Sequence, residues 1–158
     1  MNKIVLLLFL FLSVGAISTN AEAIQYKGIV TGDQTLVKDE NGATIGTILV
    51  GTEVIIESYN ETLFKLVQPE SNLFIDALAI EKVEEPIIPE NVATIGKVKT
   101  NSMYKLYKEP SSESSNVFTG SKEYIFHVGK IVNGYYEVEF GGTIVYLSID
   151  EAKALFEN

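Results

Sequence analysis

Asn133-Gly134-Tyr135-Tyr136-Glu137-Val138-Glu139-Phe140-Gly141-Gly142-Thr143-Ile144-Val145-Tyr146-Leu147-Ser148 is the most patterned stretch of the chain, and the rest can be placed relative to it. Tyr135 to Phe140 alternates aromatic or apolar residues with acidic ones, and Thr143 to Leu147 is again β-branched and aromatic. Gly141-Gly142 supplies a tight turn that tolerates positive φ, so the stretch predicts a β-hairpin. With Phe140 and Thr143 flanking the turn, Val138 pairs with Val145 and Tyr136 with Leu147 on one face. Glu137 pairs with Tyr146 and Glu139 with Ile144 on the other. The first face is expected to be core. The second, with Tyr135 at its end, is the one free to meet something outside the protein.

Working outward, the same pattern occurs earlier in the chain. Leu63-Phe64-Lys65-Leu66-Val67, a turn over Gln68 to Asn72, and Leu73-Phe74-Ile75-Asp76 lie over the two strands of the closing hairpin. Leu66 and Val138 are thereby equivalent core positions, and Leu63 and Phe74 stand where the later copy has Tyr135 and Tyr146. Upstream, Gly28 to Thr31 with Leu36-Val37-Lys38 is matched to Gly96 to Thr100 with Leu106-Tyr107-Lys108. Gly46 to Val54 sets short apolar steps between Gly turns; Val117 to Val128 is the looser counterpart. A sequence repeated at this length reads as two small units of one topology.

Asn133-Gly134-Tyr135-Tyr136-Glu137-Val138 and Gly142 through Tyr146-Leu147-Ser148 resemble the closing hairpin of bacterial Src homology 3 (SH3-like) domains, Asn-Gly-Trp-Tyr-x-Val, a turn, then Gly-Tyr-Val-Ser. Tyr135 stands where that family most often has Trp, and Val145 where it usually has Gly. The resemblance extends over nearly all of the chain after residue 23. It implies an all-β protein of two tandem small SH3-like barrels, residues 24–83 and 92–158, the second ending in a short C-terminal helix. Exported domains of that family are often appended to wall hydrolases and direct them to peptidoglycan.

The chain opens with Met1-Asn2-Lys3, an apolar run from Ile4 to Val14, and small and polar residues ending in Ala21-Glu22-Ala23. A positive start, a short apolar core and an Ala-x-Ala end predict a secretory signal peptide over 1–23, cleaved after Ala23. The expected location is secreted or cell-wall associated. Cys is absent, which excludes a lipidated N-terminal Cys and disulfides. Lys3 and Glu22 leave together with the signal, so the net charge stays at −9 with no Arg in the chain. Such a balance argues against nucleic acid and against anionic membrane surfaces as partners.

Glu84 to Asn91 holds two of the four prolines and three acids, a composition that resists helix and central strand, and is expected to be the linker. Asp39-Glu40-Asn41-Gly42 predicts a turn. It lacks the alternating oxygen ligands of a calcium loop. Lys108 to Asn116 is long and Ser-rich, the expected mobile rim of a groove. At the C-terminus, Ser148-Ile149-Asp150-Glu151 has capping-box form and Ala152 to Phe156 contains good helix formers, which predicts a short helix with Leu155 and Phe156 buried.

Chemistry is sparse. His127 is the one histidine and has no partner nearby in sequence, so neither a multi-histidine zinc site nor a Ser-His-Asp arrangement is supported. It reads as a solvated strand histidine. Glu137 and Glu139 lie beside tyrosines with no apolar pocket to raise the pKa of either, so a glycosidase pair is not indicated. No phosphate-binding loop or dinucleotide fingerprint occurs. The expectation is a protein that is not an enzyme and takes no cofactor or metal. Its candidate ligand-binding residues are Tyr104, Tyr107, Tyr135, Glu137 and Tyr146 on the second copy. Tyrosine offers a rigid apolar plane with a polar tip, suited to sugars and peptides. Two partner classes stay open: peptidoglycan or its peptide parts, and another exported protein that this one inhibits, protects against or adapts.

Overall fold

The computed structural model describes residues 23–86 and 92–155. The first half contributes β1 (Gln25–Val30), β2 (Gln34–Lys38), β3 (Thr44–Leu49), β4 (Glu53–Ser58), β5 (Leu63–Leu66), β6 (Leu73–Asp76) and β7 (Ile80–Pro86). The second contributes β8 (Gly96–Thr100), β9 (Tyr104–Tyr107), β10 (Asn116–Gly120), β11 (Ile125–Val132), β12 (Tyr135–Phe140), β13 (Thr143–Ser148) and β14 (Ala152–Leu155). Every ladder between them is antiparallel, so the protein is all-β.

The hydrogen-bonded order is β14-β8-β11-β12-β13-β9-β10-β3-β2-β6-β5-β4-β1-β7. This is one open sheet of fourteen strands, with β14 and β7 at its ends. Read from either end toward the middle, the two halves have the same order, and they meet where β10 pairs with β3 through Phe118↔Ile48, Thr119↔Thr47 and Gly120↔Gly46. The expectation of two separate barrels did not include this shared ladder. The reason for it is steric. A Cβ on Gly46 would lie 2.2 Å from Phe118 Cζ, and one on Gly120 would lie 2.1 Å from the Tyr104 ring. Two bare backbones let aromatic rings lie across the junction. Tyr104, Phe118, Phe126 and Phe140 form a chain of tilted and edge-on ring contacts there, 4.7–5.9 Å between centroids.

The closing hairpin has the expected register, from Tyr135↔Ser148 to Phe140↔Thr143, with Gly141 and Gly142 at positive φ. Val138, Phe140, Val145 and Leu147 are buried. Leu66 and Val138 are both fully buried, and the ladders place them at equivalent positions, Ile56↔Leu66↔Leu73 against Val128↔Val138↔Val145. The upstream match needs correction. Val37 pairs with Ile75 as Leu106 pairs with Leu147, so Leu106 corresponds to Val37 and not to Leu36. Leu36 is 46% exposed. Likewise Gly28, opposite Val54, corresponds to Val98, opposite Phe126, so Gly96 is not its counterpart. The connections before β3 and β10 differ in length, so matching like residues drifts off register there.

The C-terminal helix is not formed. Ser148 caps a single 3-10 turn, Ile149–Glu151, by accepting from the Asp150 N–H, and Ala152–Leu155 then runs as β14 along β8. Four residues are too few to nucleate a helix, whereas β8 offers a row of unpaired backbone groups. Leu155 is 39% exposed rather than buried, and Phe156 lies outside the described residues. The first half does the same thing: Asp76 caps Ala77–Ala79 and β7 follows along β1. β7 also takes in Glu84–Pro86 from the expected linker, with Pro86 at the strand end on the sheet's edge where it costs no ladder bond. Residues 1–22 of the expected signal peptide and residues 87–91 of the expected linker are outside the described residues.

Candidate functional site

Strand alternation decides which predicted residues share a surface. Tyr146 pairs with Glu137 on one side and Tyr107 on the other, and Tyr135 pairs with Ser148 two residues on, so Tyr107, Tyr135, Glu137 and Tyr146 occupy one outer face. All four are half-buried. The Tyr107 and Tyr135 rings meet edge to face at 5.7 Å. Burial, then the Glu151 carboxylate and the Tyr135 phenol, push the Tyr107 hydroxyl above its usual range. Glu137 takes an ion pair from Lys130 at 3.4 Å.

Tyr104 does not belong to this face. It is 1% exposed, and its ring packs on Phe118 and Phe126 over Gly120. Its hydroxyl is buried with no partner among the described residues, and burial raises its pKa strongly. The reason was available in the spacing: residues 104 and 107 are three apart, and in a strand that puts them on opposite faces. Glu139 lies on the outer face but faces the incoming chain at Val92, whose N–H it accepts at 3.4 Å. Partial burial there raises its pKa.

The corresponding face of the first half has different chemistry. By the same ladders Lys38 replaces Tyr107, Leu63 replaces Tyr135, Lys65 replaces Glu137 and Phe74 replaces Tyr146. The Phe74 ring packs tilted against Tyr59, with the centroids 4.7 Å apart. Clefts of ≈ 480 Å³ and ≈ 610 Å³ flank the Lys38, Leu63 and Phe74 side chains, with exposed Leu78 beside the first and Tyr59 in the second. Leu63 and Phe74 were not among the candidate ligand-binding residues read from the sequence, and this concavity was missed with them.

The halves also dock through their hairpin turns. The β12–β13 turn presses on β4: the Ile55 N–H donates to Gly141 O at 2.6 Å, and a Cβ on Gly142 would lie 2.7 Å from Ile55 Cβ. The β5–β6 connection, residues 67–72, docks on β11 through side chains. Gln68 and Ser71 bond to the Tyr124 hydroxyl at 3.0 and 2.6 Å, and Glu70 meets His127 Nε2 at 2.6 Å. His127 is thus a partnered strand histidine, 18% exposed, and not a solvated one. Its partner is 57 residues away, too far to be seen in a local reading. Asp39 to Gly42 form the expected turn, with Asp39 Oδ1 accepting from the Asn41 and Ala43 N–H groups and Gly42 at positive φ. In the Ser-rich loop, Ser111 and Ser114 hydroxyls accept from the Glu113 and Glu109 N–H groups. Among the described residues no cluster of three or more His, Asp or Glu is arranged to hold a metal ion, and no helix is long and apolar enough to cross a membrane.

No protein-family model and no curated protein sequence matches the chain. Two solved structures are similar to it. One is NlpC2 from Trichomonas vaginalis, 18% identical with a TM-score of 0.33 over 82% of this chain and 48% of that one. The other is NlpC1 from the same organism, 14% identical with a TM-score of 0.34 over 89% of this chain and 49% of that one. The chain spans about half the length of each. Likeness at this level says nothing of activity.

Proposed function

We propose that this is an exported, non-catalytic binding protein made of two SH3-like barrels joined at the β3–β10 ladder, which recognises peptidoglycan or its peptide parts through the second half. The observation that carries the reading is the meeting of Tyr107, Tyr135 and Tyr146 with Glu137 on one half-buried face. Aromatic planes stack on sugar rings and apolar side chains, and the phenols and carboxylate suit amide and free-amine groups of a wall peptide. Export rests on the N-terminal pattern of residues 1–23, and the division into two units rests on the repeated strand order. Absence of catalysis rests on the side chains: no Cys, and one His engaged by Glu70.

A second reading is that the protein binds another exported protein. The clefts beside Phe74, with Lys38, Lys65 and exposed Tyr59 and Leu78, favour it, since a rigid aromatic-and-cation surface is what protein partners use as an anchor. Sedimentation of residues 24–158 with purified cell walls separates the two. Co-sedimentation at low and moderate salt supports the wall reading. If the protein stays in the supernatant while a pull-down from culture medium recovers one stoichiometric protein, the second reading replaces the first.

A further inference from the structure

The approximate two-fold that relates the halves creates two equivalent junction grooves, and only one of them is filled. In the first, the Tyr124 ring enters beneath the β5–β6 turn, its hydroxyl bonded to Gln68 and Ser71, leaving ≈ 20 Å³. Asp39 reaches across from the first half to Lys122 of the second at 3.6 Å. The equivalent groove lies beneath the β12–β13 turn, and the ladders assign its residues one by one. Ile56 corresponds to Val128, so Thr52 stands where the other groove has Tyr124. Leu66 corresponds to Val138, so Phe140 stands where the other has Gln68. Val37 corresponds to Leu106 and Gly46 to Phe118, so Lys108 replaces Asp39 and Val50 replaces Lys122.

The consequences are a void and an unmatched charge. Thr52 is too short to fill the space and only its hydroxyl reaches Val117 O, at 3.4 Å. A groove of ≈ 330 Å³ remains, floored by the buried Val54, Phe140 and Val145. That is the size of a small-ligand site. Its acidic rim residue, Glu53, is already paired with Lys27 at 2.7 Å. Lys108 is exposed at the rim and, among the described residues, has no ion-pair partner. β10 slips register against β9 at Val117, and its pairing with β3 stops at Phe118↔Ile48.

We infer that this groove binds the C-terminal residue of a peptide chain, an aromatic side chain taking the place Tyr124 fills in the other groove and the terminal carboxylate meeting Lys108. Phe140 in place of Gln68 makes the inner end apolar, which selects phenylalanine over tyrosine. The unpaired ammonium selects an anion, and in a chain-terminal aromatic residue ring and carboxylate are held in one residue. The site is separate from the tyrosine face and does not rest on the wall-binding reading.

The test is a titration of residues 24–158 with N-acetyl-Gly-Phe carrying a free carboxylate, followed by methyl NMR. Saturable shifts at Val54, Val117 and Val145 are expected. The carboxamide of the same peptide and the Lys108→Gln variant should each bind about fivefold more weakly, as loss of one exposed ion pair allows. Thr52→Tyr, which copies the filled groove, should abolish the shifts. Absence of saturable shifts at those three valines, shifts confined to methyl groups elsewhere in the protein, or equal binding of acid and amide overturns the assignment. Should Thr52→Tyr not fold, Lys108→Gln, on an exposed side chain, decides: unchanged affinity there refutes it.

Discussion

The two halves of this protein share a strand order and a pair of capped 3-10 turns, yet their outer faces carry different chemistry. Lys38, Leu63, Lys65 and Phe74 on the first become Tyr107, Tyr135, Glu137 and Tyr146 on the second. Several inward positions change far less: Leu66 and Val138, Val37 and Leu106, Ile75 and Leu147 are all fully or nearly fully buried apolar pairs. A repeated frame constrains what faces the core, because a cavity there costs stability wherever it occurs. It leaves the outward positions free to diverge. The divergence, and not the fold, is where function is to be sought.

The sharpest test of the repeat is to cut the same hole in each half. Leu66→Ala should destabilise by roughly 3 kcal/mol and Val138→Ala by about 2 kcal/mol, since neither site is exposed and neither can refill from solvent. Because β3 and β10 share a ladder, both losses should appear in a single thermal transition. Two transitions, each moved by only one of the variants, would show that the halves melt apart.

The comparison of turns gives the next largest effect. Gly142 and Gly134 both have positive φ, 72° and 81°, but a Cβ at Gly142 collides with Ile55 of the other half while one at Gly134 meets nothing within 4 Å. Gly134→Ala should therefore cost about 1 kcal/mol of backbone strain. Gly142→Ala should cost that plus about 2 kcal/mol for the collision. Equal costs in chemical denaturation would mean that the turn does not dock on β4.

The smallest stability effect concerns pH. Partial burial raises the Glu139 carboxyl above its usual value in the folded protein, against a weaker opposing contribution from the Val92 N–H. Between its unfolded and folded pKa the native state binds more protons, so this group's contribution falls as pH rises through the folded value. Glu139→Gln should remove that part of the decline and leave the protein slightly more stable at neutral pH. A variant whose stability falls at neutral pH, or whose pH profile is unchanged, would contradict the burial of this carboxylate.

Much of this was legible in the sequence where a period of two and a glycine turn agreed. The Tyr135–Ser148 hairpin, its register and the equivalence of Leu66 with Val138 follow from alternation alone. Three kinds of feature were not legible. Leu36 was matched to Leu106 because likeness of side chain hid a one-residue slip, which in a strand reverses the face. Ala152 to Leu155 have helix propensity that the open edge of β8 overrides. The junction itself depends on Gly46 and Gly120 being bare beneath rings from other strands, and on His127 finding Glu70, contacts that no local window contains. At the candidate site, alternation would have removed Tyr104 and kept Tyr107, Tyr135, Glu137 and Tyr146. The clefts beside Phe74 and the groove beside Thr52 emerge only when the halves are laid over one another.

The central functional claim is that divergence of the outer faces has put binding on the tyrosines, and equivalent substitutions in the two halves test it most directly. Tyr146→Ala and Phe74→Ala occupy matched positions, so after both are shown to fold, their co-sedimentation with purified cell walls is compared with that of the parent. The account predicts that Tyr146→Ala, and Tyr135→Ala with it, weakens binding at least tenfold, the loss expected for an aromatic anchor, while Phe74→Ala binds as the parent does. Parent-like binding by both tyrosine variants together with loss in Phe74→Ala would place the site on the first half and contradict it.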